Sequence, residues 1–137
     1  LAVLIGCGGE EDEQPATAVD LLIDRLRTEA DAHVLVKGHV EQFFLSVSGR
    51  LLMVNASRVG AYEYPDTETA ALEAARISPD GSTVGVSPEG APVETELHYY
   101  GFPHFFLSDT LIAFYLGEGE GVLRPLELTM GPQFAGR

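Results

Sequence analysis

The stretch VNASRVGAYEYPDTETAALEAARI, residues 54–77, carries the pattern that decides the fold. NASR predicts a turn and VGAYEY predicts a strand. Pro65 has no N–H to donate to a neighbouring strand, so it cannot lie within a central strand. Asp66 can cap the backbone N–H groups of a helix that begins directly after it. The alanine-rich segment that follows predicts this helix, with Glu68 and Glu73 facing water. The stretch therefore predicts a strand, a turn, a second strand and a helix.

A second stretch, FLSDTLIAFYLGEGEGVLRPLELTM at residues 106–130, has the same layout. Each stretch has a polar turn, a strand with an alanine beside an aromatic residue (Ala61 and Ala113), a Pro or Gly break, an acidic residue and an apolar helix. Two ββα units of this kind would form one sheet. We therefore predict an α+β fold, an antiparallel sheet with helices packed mainly on one face.

The remaining segments extend this pattern. Apolar residues at helical spacing predict a helix near residues 18–30, with Thr17 as N-cap and Asp20 three positions on. AHVLVKGHV alternates like a strand, QFFLSVSG is interpreted as the next strand, and Gly49-Arg50 as a turn. VETELHYYGF predicts a further strand, and a short strand is expected near Val84–Val86.

The C-terminal part predicts a hairpin followed by a helix. HFFLSDTLIAFYLG is interpreted as a hairpin that turns at Ser108-Asp109. Pro125 is expected to limit how far upstream the next helix runs, and Gly131-Pro132 is expected to close it.

Composition excludes several classes of protein. The chain has 137 residues, with 21 acidic against 8 basic side chains and a net charge of −13. This charge repels phosphate backbones, so nucleic acid is excluded as an expected partner. A single cysteine allows no intrachain disulfide, and no apolar run is long enough to span a membrane. We predict one domain over residues 18–137.

The opening LAVLIGCGGEEDEQ, residues 1–14, raises the question of a nucleotide loop. A dinucleotide fingerprint needs a third glycine after Gly6 and Gly8, and Glu11 stands at that position. Four consecutive acidic residues follow where a helix N-terminus would receive phosphate. The pattern does not favour nucleotide binding.

Leu4-Ile5-Gly6-Cys7 resembles the lipobox of bacterial lipoproteins, in which a small residue precedes an acylated cysteine. The resemblance implies that residues 1–6 end a signal peptide, that Cys7 carries lipid and that residues 7–17 form an acidic tether. It also implies attachment to the bacterial cell envelope, on its periplasmic or extracellular face. The alternative is a buried N-terminal strand with Cys7 as a structural residue.

YEYPDTETAALEAARISPDGS, PHFF and GPQFAG are similar to segments of small bacterial secreted proteins and lipoproteins to which no activity is assigned. This resemblance implies an envelope location and a compact α+β domain, with no functional residues to carry over.

Histidines are the candidate metal ligands. His33 and His39 share parity on one predicted strand, and His98 and His104 share it on another. Two such pairs could meet across a sheet and hold zinc or copper, completed by Glu41 or Glu96. The alternative is that the four side chains are scattered over strand faces.

HYYGFPHFF, residues 98–106, is the densest aromatic segment. Half of its aromatic side chains must point away from a helix-covered face, and exposed aromatics are typical of binding patches. The candidate binding residues are Tyr99, Tyr100, Phe102 and Phe105. The alternative is that these aromatics fill the core.

The sequence predicts an envelope-anchored lipoprotein with a non-catalytic domain that binds an envelope protein or another envelope component. No nucleophile motif is present and no cofactor is expected. The alternative hypothesis is a small metal-binding envelope protein that uses the strand histidines.

Overall fold

The computed structural model describes residues 17–86, 93–97, 99 and 101–136. The elements in chain order are α1 (Ala18–Thr28), β1 (Val34–Val40), β2 (Gly49–Val54), β3 (Ser57–Glu63), α2 (Thr67–Ala75), β4 (Thr83–Val86), β5 (Val93–Glu96), β6 (Pro103–Ser108), β7 (Leu111–Leu116), α3 (Glu120–Met130) and β8 (Ala135–Gly136).

Six strands form one antiparallel sheet in the order β1-β2-β3-β7-β6-β8, and β4 pairs with β5 in a separate hairpin. The predicted α+β class and antiparallel sheet are confirmed. In the described part of the chain, none of the helices is long and apolar enough to cross a lipid bilayer.

Each face of the six-stranded sheet has its own apolar core because side chains alternate along the strands. The first face, which contains Val59, Ala61, Leu111 and Ala113, packs against α1 and α3. The second face, which contains Tyr62, Ile112, Phe105 and Phe114, packs against α2, the β1–β2 loop and Val84 of β4. Two of the three described helices therefore lie on one face.

The two predicted ββα units are present as β2-β3-α2 and β6-β7-α3. Their inner strands β3 and β7 pair at the centre of the sheet, where Ala61 lies directly opposite Ala113. The two helices lie on opposite faces, because Ala70 and Ala74 of α2 join the second core and the apolar stripe of α3 joins the first. The repeat therefore applies to the hairpins and does not extend to helix placement.

The predicted starts of α1 and α2 are confirmed. The Thr17 hydroxyl accepts a hydrogen bond from the Asp20 N–H, and the Asp20 carboxylate accepts one from the Thr17 N–H. This reciprocal pair is a capping box. Asp66 caps α2 by accepting a hydrogen bond of 2.7 Å from the Thr69 N–H.

Residues 42–48 of QFFLSVSG form a loop, and the prediction of this segment as a strand was wrong. β1 and β2 pair directly, and the loop between them, residues 41–48, buries Phe44 and Leu45 against the second face. Gly49 starts β2 and does not form a turn. It lies opposite Tyr62, whose ring would stand 2.5 Å from a Cβ on this glycine. Glycine is needed here for close approach of the aromatic ring.

Pro125 lies inside α3, and the expectation that it limits the helix upstream was wrong. A proline has no N–H to donate to the carbonyl four residues earlier, which is that of Gly121. The Asn55 side chain donates to this carbonyl at 2.8 Å instead. The β2–β3 turn therefore supplies the hydrogen bond that Pro125 cannot make.

Candidate functional site

The predicted aromatic patch is only partly exposed. Phe102 has 41 % of its surface exposed. Tyr99 is half-buried, donates its hydroxyl to the Gly81 carbonyl at 3.0 Å, and has its pKa raised by burial. Tyr100 lies outside the described residues. Phe102 and the Tyr99 ring therefore remain as candidate contact residues.

Phe105 belongs to the core, which corrects its assignment as a binding residue. Its side chain is fully buried, and its ring stacks on that of Phe114 with centroids 4.6 Å apart. Phe105 points to the second face next to α2, where the sheet is covered. A cluster of aromatic residues in the sequence does not show which of them lie on the covered part of the second face and which lie on its uncovered part.

The described histidines do not converge. The β1–β2 register shifts between Val36 and Gly38, so a bulge at Lys37 puts His33 and His39 on opposite faces. β6 lies four strand spacings from β1, or about 19 Å. The prediction that His33 and His39 share a face and meet His104 was therefore wrong. His98 lies outside the described residues.

His104 is a buried side chain with two polar neighbours. Its Nε2 donates to the Gly117 carbonyl at 2.9 Å, and its Nδ1 lies 2.7 Å from Gln133 Oε1. The ring also stacks on Tyr115. Within residues 17–86, 93–97, 99 and 101–136, no cluster of three or more His, Cys, Asp or Glu side chains could hold a metal ion. Cys7 lies outside these ranges.

A largely apolar groove lies on the second face, and no residue of α2 contributes to its lining. It has a volume of about 520 Å³. It is lined by residues of β1, β2, β3, β7 and the adjoining turns: Val40, Gln42, Leu51, Met53, Ala56, Arg58, Gly60, Tyr62, Phe114 and Leu116. We call this set the sheet groove.

A second cavity, of about 610 Å³, continues the sheet groove toward the aromatic segment. The two share Leu116, which is 39 % exposed, and the second is also lined by Tyr99 and Phe102. The surviving part of the predicted aromatic patch therefore borders a cavity that adjoins the sheet groove at Leu116 and is also lined by Glu118.

Gly60 forms the floor of the sheet groove. It lies two residues before Tyr62 on the same face of β3, and a Cβ on it would stand 2.8 Å from the Tyr62 hydroxyl oxygen. The Tyr62 ring therefore lies along its own strand, over both Gly60 and Gly49. Glycine at both positions lets the ring lie flat on the sheet.

The Tyr62 hydroxyl is buried and has no hydrogen-bond partner. Burial raises the pKa of Tyr62 to about 12. The neighbouring Gln42 side chain lowers this pKa in part, although the two groups are not within hydrogen-bonding geometry. The group is therefore a neutral O–H donor at physiological pH. A buried polar group without a partner is unfavourable by about 1–3 kcal/mol.

Arg58 is the one cation in the groove lining and lies exposed at its rim. Arg25, Arg76 and Arg124 each pair with a glutamate. Arg58 forms no ion pair within the part of the chain that the structure describes. Its positive charge is therefore free to meet an anion in a protein whose net charge is strongly negative.

Glu73 fixes the loop that borders the groove. It was expected to face water, but it is buried, with the Ser46 N–H and the Tyr64 hydroxyl donating to its Oε1 at 2.6 and 2.9 Å. Arg76 pairs with its other oxygen. Burial and the Glu73 carboxylate raise the pKa of Tyr64. This network holds loop 41–48, and with it Gln42, against the end of the sheet.

Sequence patterns did not identify Gly60, Tyr62 or Arg58 as site residues. One signal was available, because an isolated glycine within a strand marks a close approach of another group. The uncovered end of the face could not be recognised, since it depends on where α2 packs.

No protein-family model matches this chain, and the comparisons with curated proteins and with solved structures found no significant match.

Proposed function

We propose that this protein is a lipoprotein of the bacterial cell envelope whose domain binds an apolar ligand or partner through the sheet groove. One observation carries the binding part of the proposal. The second face is covered by α2 and loop 41–48 at one end, and its other end carries a mainly apolar groove that contains Leu51, Met53 and Leu116 and adjoins the cavity beside Phe102 and Glu118. Apolar surfaces of this kind are typical of binding sites.

The chemistry of the groove lining supports binding without catalysis. The lining residues include no Asp, Glu, His, Cys or Ser, so they supply no nucleophile–base pair and no carboxylate pair. Their polar groups are one guanidinium, one amide and one phenol. Such groups orient a ligand by hydrogen bonding and charge.

The anchor part of the proposal is supported by the lipobox-like Leu4-Ile5-Gly6-Cys7 and by the acidic run behind it. A domain joined to a membrane through such a tether would be free to present its sheet groove to other envelope components.

Metabolic labelling with a palmitate analogue tests the anchor. The full-length precursor should incorporate the label and fractionate with membranes, while its Cys7→Ala variant should do neither. Label retained by the variant would contradict the anchor.

Affinity capture from the native envelope tests the groove. We expect Met53→Lys to abolish the capture of a specific component, because a charge would be placed on the floor of an apolar surface. Leu128→Lys is the matched control, because Leu128 is exposed on α3 away from the groove. Equal capture by wild type and both variants would contradict the assigned surface.

A further inference from the structure

We propose that the surface at Phe102 and Glu118, beside the sheet groove, binds an arginine side chain of a partner protein. This inference rests on the proposed binding function, because Leu116 lines both the sheet groove and the cavity next to it. It names the kind of partner, a protein with an exposed arginine, and the residues that recognise it.

Two cavities meet at Phe102 and Glu118. Both residues line the cavity of about 610 Å³ that adjoins the sheet groove, and both also line a neighbouring cavity of about 360 Å³. Phe102 directly precedes β6, and Glu118 lies two residues after the end of β7. Because β6 and β7 pair in antiparallel register, the two residues lie at the same end of this strand pair. A side chain that enters there can contact both of them.

Hydrogen bonds hold the backbone of Glu118 next to Phe102. On one side of Glu118, the Gly117 N–H donates to the Phe102 carbonyl at 2.9 Å. On the other side, the Gly119 N–H donates to the Tyr115 hydroxyl oxygen at 3.0 Å. The loop is therefore fixed on both sides of Glu118, so that little backbone ordering is needed when a ligand binds.

The charge of Glu118 favours a cationic ligand. Glu118 is exposed and forms no ion pair within the part of the chain that the structure describes. Glu120, which lines the smaller cavity, pairs with Arg124 at 3.4 Å. The net charge of −13 also attracts cations and repels anions at longer range. The group that binds beside Glu118 is therefore expected to be positive.

An organic cation fits this position better than a metal ion. His104 lines the smaller cavity, but its two ring nitrogens already face the Gly117 carbonyl and Gln133 Oε1. Among the residues that the structure describes, no group of three or more His, Cys, Asp or Glu side chains could hold a metal ion. An organic cation needs only one carboxylate and an apolar surface beside it.

Phe102 favours a guanidinium over an ammonium group. Its side chain is 41 % exposed, so part of its ring is available to a ligand. A planar guanidinium can stack on an aromatic ring and donate two hydrogen bonds to a carboxylate, whereas an ammonium is a strongly hydrated point charge. Leu116 and Leu123, which line the two cavities, can contact the methylene groups of an arginine side chain.

A titration of the full chain with short peptides tests this inference. The probe is a tripeptide with arginine between two leucines and with both ends capped, and the controls carry citrulline or lysine in place of the arginine. The methyl NMR signals of Leu116 and Leu123 report binding at the two cavities. We expect saturable binding of the arginine peptide, with the uncharged citrulline peptide about fivefold weaker or more and the lysine peptide weaker than the arginine peptide.

Variants of the protein assign the binding to this surface. Glu118→Gln should weaken binding of the arginine peptide by about threefold or more, because it removes the carboxylate. Phe102→Leu should weaken it by about twofold to fivefold, because an apolar side chain remains but the aromatic ring is lost. Glu127→Gln is the matched control, since it removes the same charge from an exposed position on α3, and it should leave binding unchanged.

The outcomes separate this inference from the proposed function. Equal binding of the arginine and citrulline peptides, or equal weakening by Glu118→Gln and Glu127→Gln, would overturn the assigned surface. Equal binding of the arginine and lysine peptides would overturn the choice of a guanidinium. Absence of peptide binding, with capture of an envelope component still dependent on Met53, would overturn this inference and leave the proposed function standing. Loss of both would overturn both.

Discussion

Tyr62, in β3, and Tyr64, just after the end of β3, are two buried phenols with opposite hydrogen-bonding states. The Tyr62 hydroxyl has no partner, whereas the Tyr64 hydroxyl donates to Glu73. We expect Tyr62→Phe to leave the free energy of unfolding unchanged or to raise it by about 1 kcal/mol, because it removes an unsatisfied polar group. Tyr64→Phe should lower it by about 1.5–3 kcal/mol, because it removes a bond to a carboxylate.

Urea unfolding of the two variants measures this contrast. A larger loss of stability in Tyr62→Phe than in Tyr64→Phe would show that the Tyr62 hydroxyl has a structural partner.

Asn55 joins three elements through one side chain. Its Oδ1 accepts from the His33 N–H and its Nδ2 donates to the Gly121 carbonyl that Pro125 leaves free, both at 2.8 Å. Asn55→Asp keeps the acceptor for the His33 N–H but puts a carboxylate oxygen against the Gly121 carbonyl. We therefore expect the free energy of unfolding to fall by about 1–2 kcal/mol, which thermal unfolding measures.

A double-mutant cycle controls for other effects of that substitution. Pro125→Ala restores an N–H that can donate to the Gly121 carbonyl, so Asn55→Asp should be less destabilising in that background. Additive effects would contradict the compensation.

At the scale of elements, the cap of α2 makes a pH-dependent contribution to stability. The hydrogen bond from the Thr69 N–H lowers the pKa of the Asp66 carboxyl below its ordinary value. A carboxyl with a lowered pKa stabilises the fold above the pKa of the unfolded chain, and this stabilisation is lost as pH falls through the folded-state value. Wild type should therefore exceed Asp66→Asn in stability at neutral pH.

The difference in the free energy of unfolding between wild type and Asp66→Asn should shrink at pH values below the ordinary aspartate pKa of about 3.9. Chemical unfolding across acid and neutral pH measures it. A difference that stays constant with pH would contradict the role of the ionised cap.

β1 is an edge strand of the described sheet, and it has features that oppose edge-to-edge pairing. Its bulge interrupts the ladder at Lys37, while Leu35 and Val36 beside it are exposed. Bulges and lysines are common protections of edge strands. In light-scattering measurements, we expect the apparent mass of Lys37→Val to increase as its concentration rises, because the chains associate. The apparent mass of Lys37→Arg should remain that of wild type. Equal association of both variants would show that the charge has no protective role.

Local signals in the sequence were sufficient for the caps of α1 and α2, the Asn55 turn and the central hairpins. These elements depend on neighbours within a few residues, so a short window specifies them. The errors involve distant partners. Gly49 is required by Tyr62, Glu73 is buried by Ser46 and Tyr64, and Pro125 is tolerated because of Asn55. The candidate groove also depends on residues that are distant in the sequence, because it lies on the part of the second face that α2 does not cover. It was therefore not predicted.

At the scale of the whole molecule, different elements pack on the two faces of the sheet. α1 and α3 pack on the first face, whereas α2, loop 41–48 and the β4–β5 hairpin cover part of the second. The open remainder is apolar, with one unpaired arginine and one unsatisfied hydroxyl among its lining groups. We propose that this open remainder is the surface by which the protein binds in the envelope.

Photo-crosslinking in the source cells tests whether the protein binds through this surface. A benzophenone side chain would replace Met53 in the groove, Leu116 where the two cavities meet, or Leu128 on the exposed side of α3. Irradiation and intact-mass analysis would then reveal a covalent adduct of a lipid or a protein. We predict adducts of the same mass at positions 53 and 116 and none at 128. Adducts at 128 alone, or at all three positions alike, would contradict it.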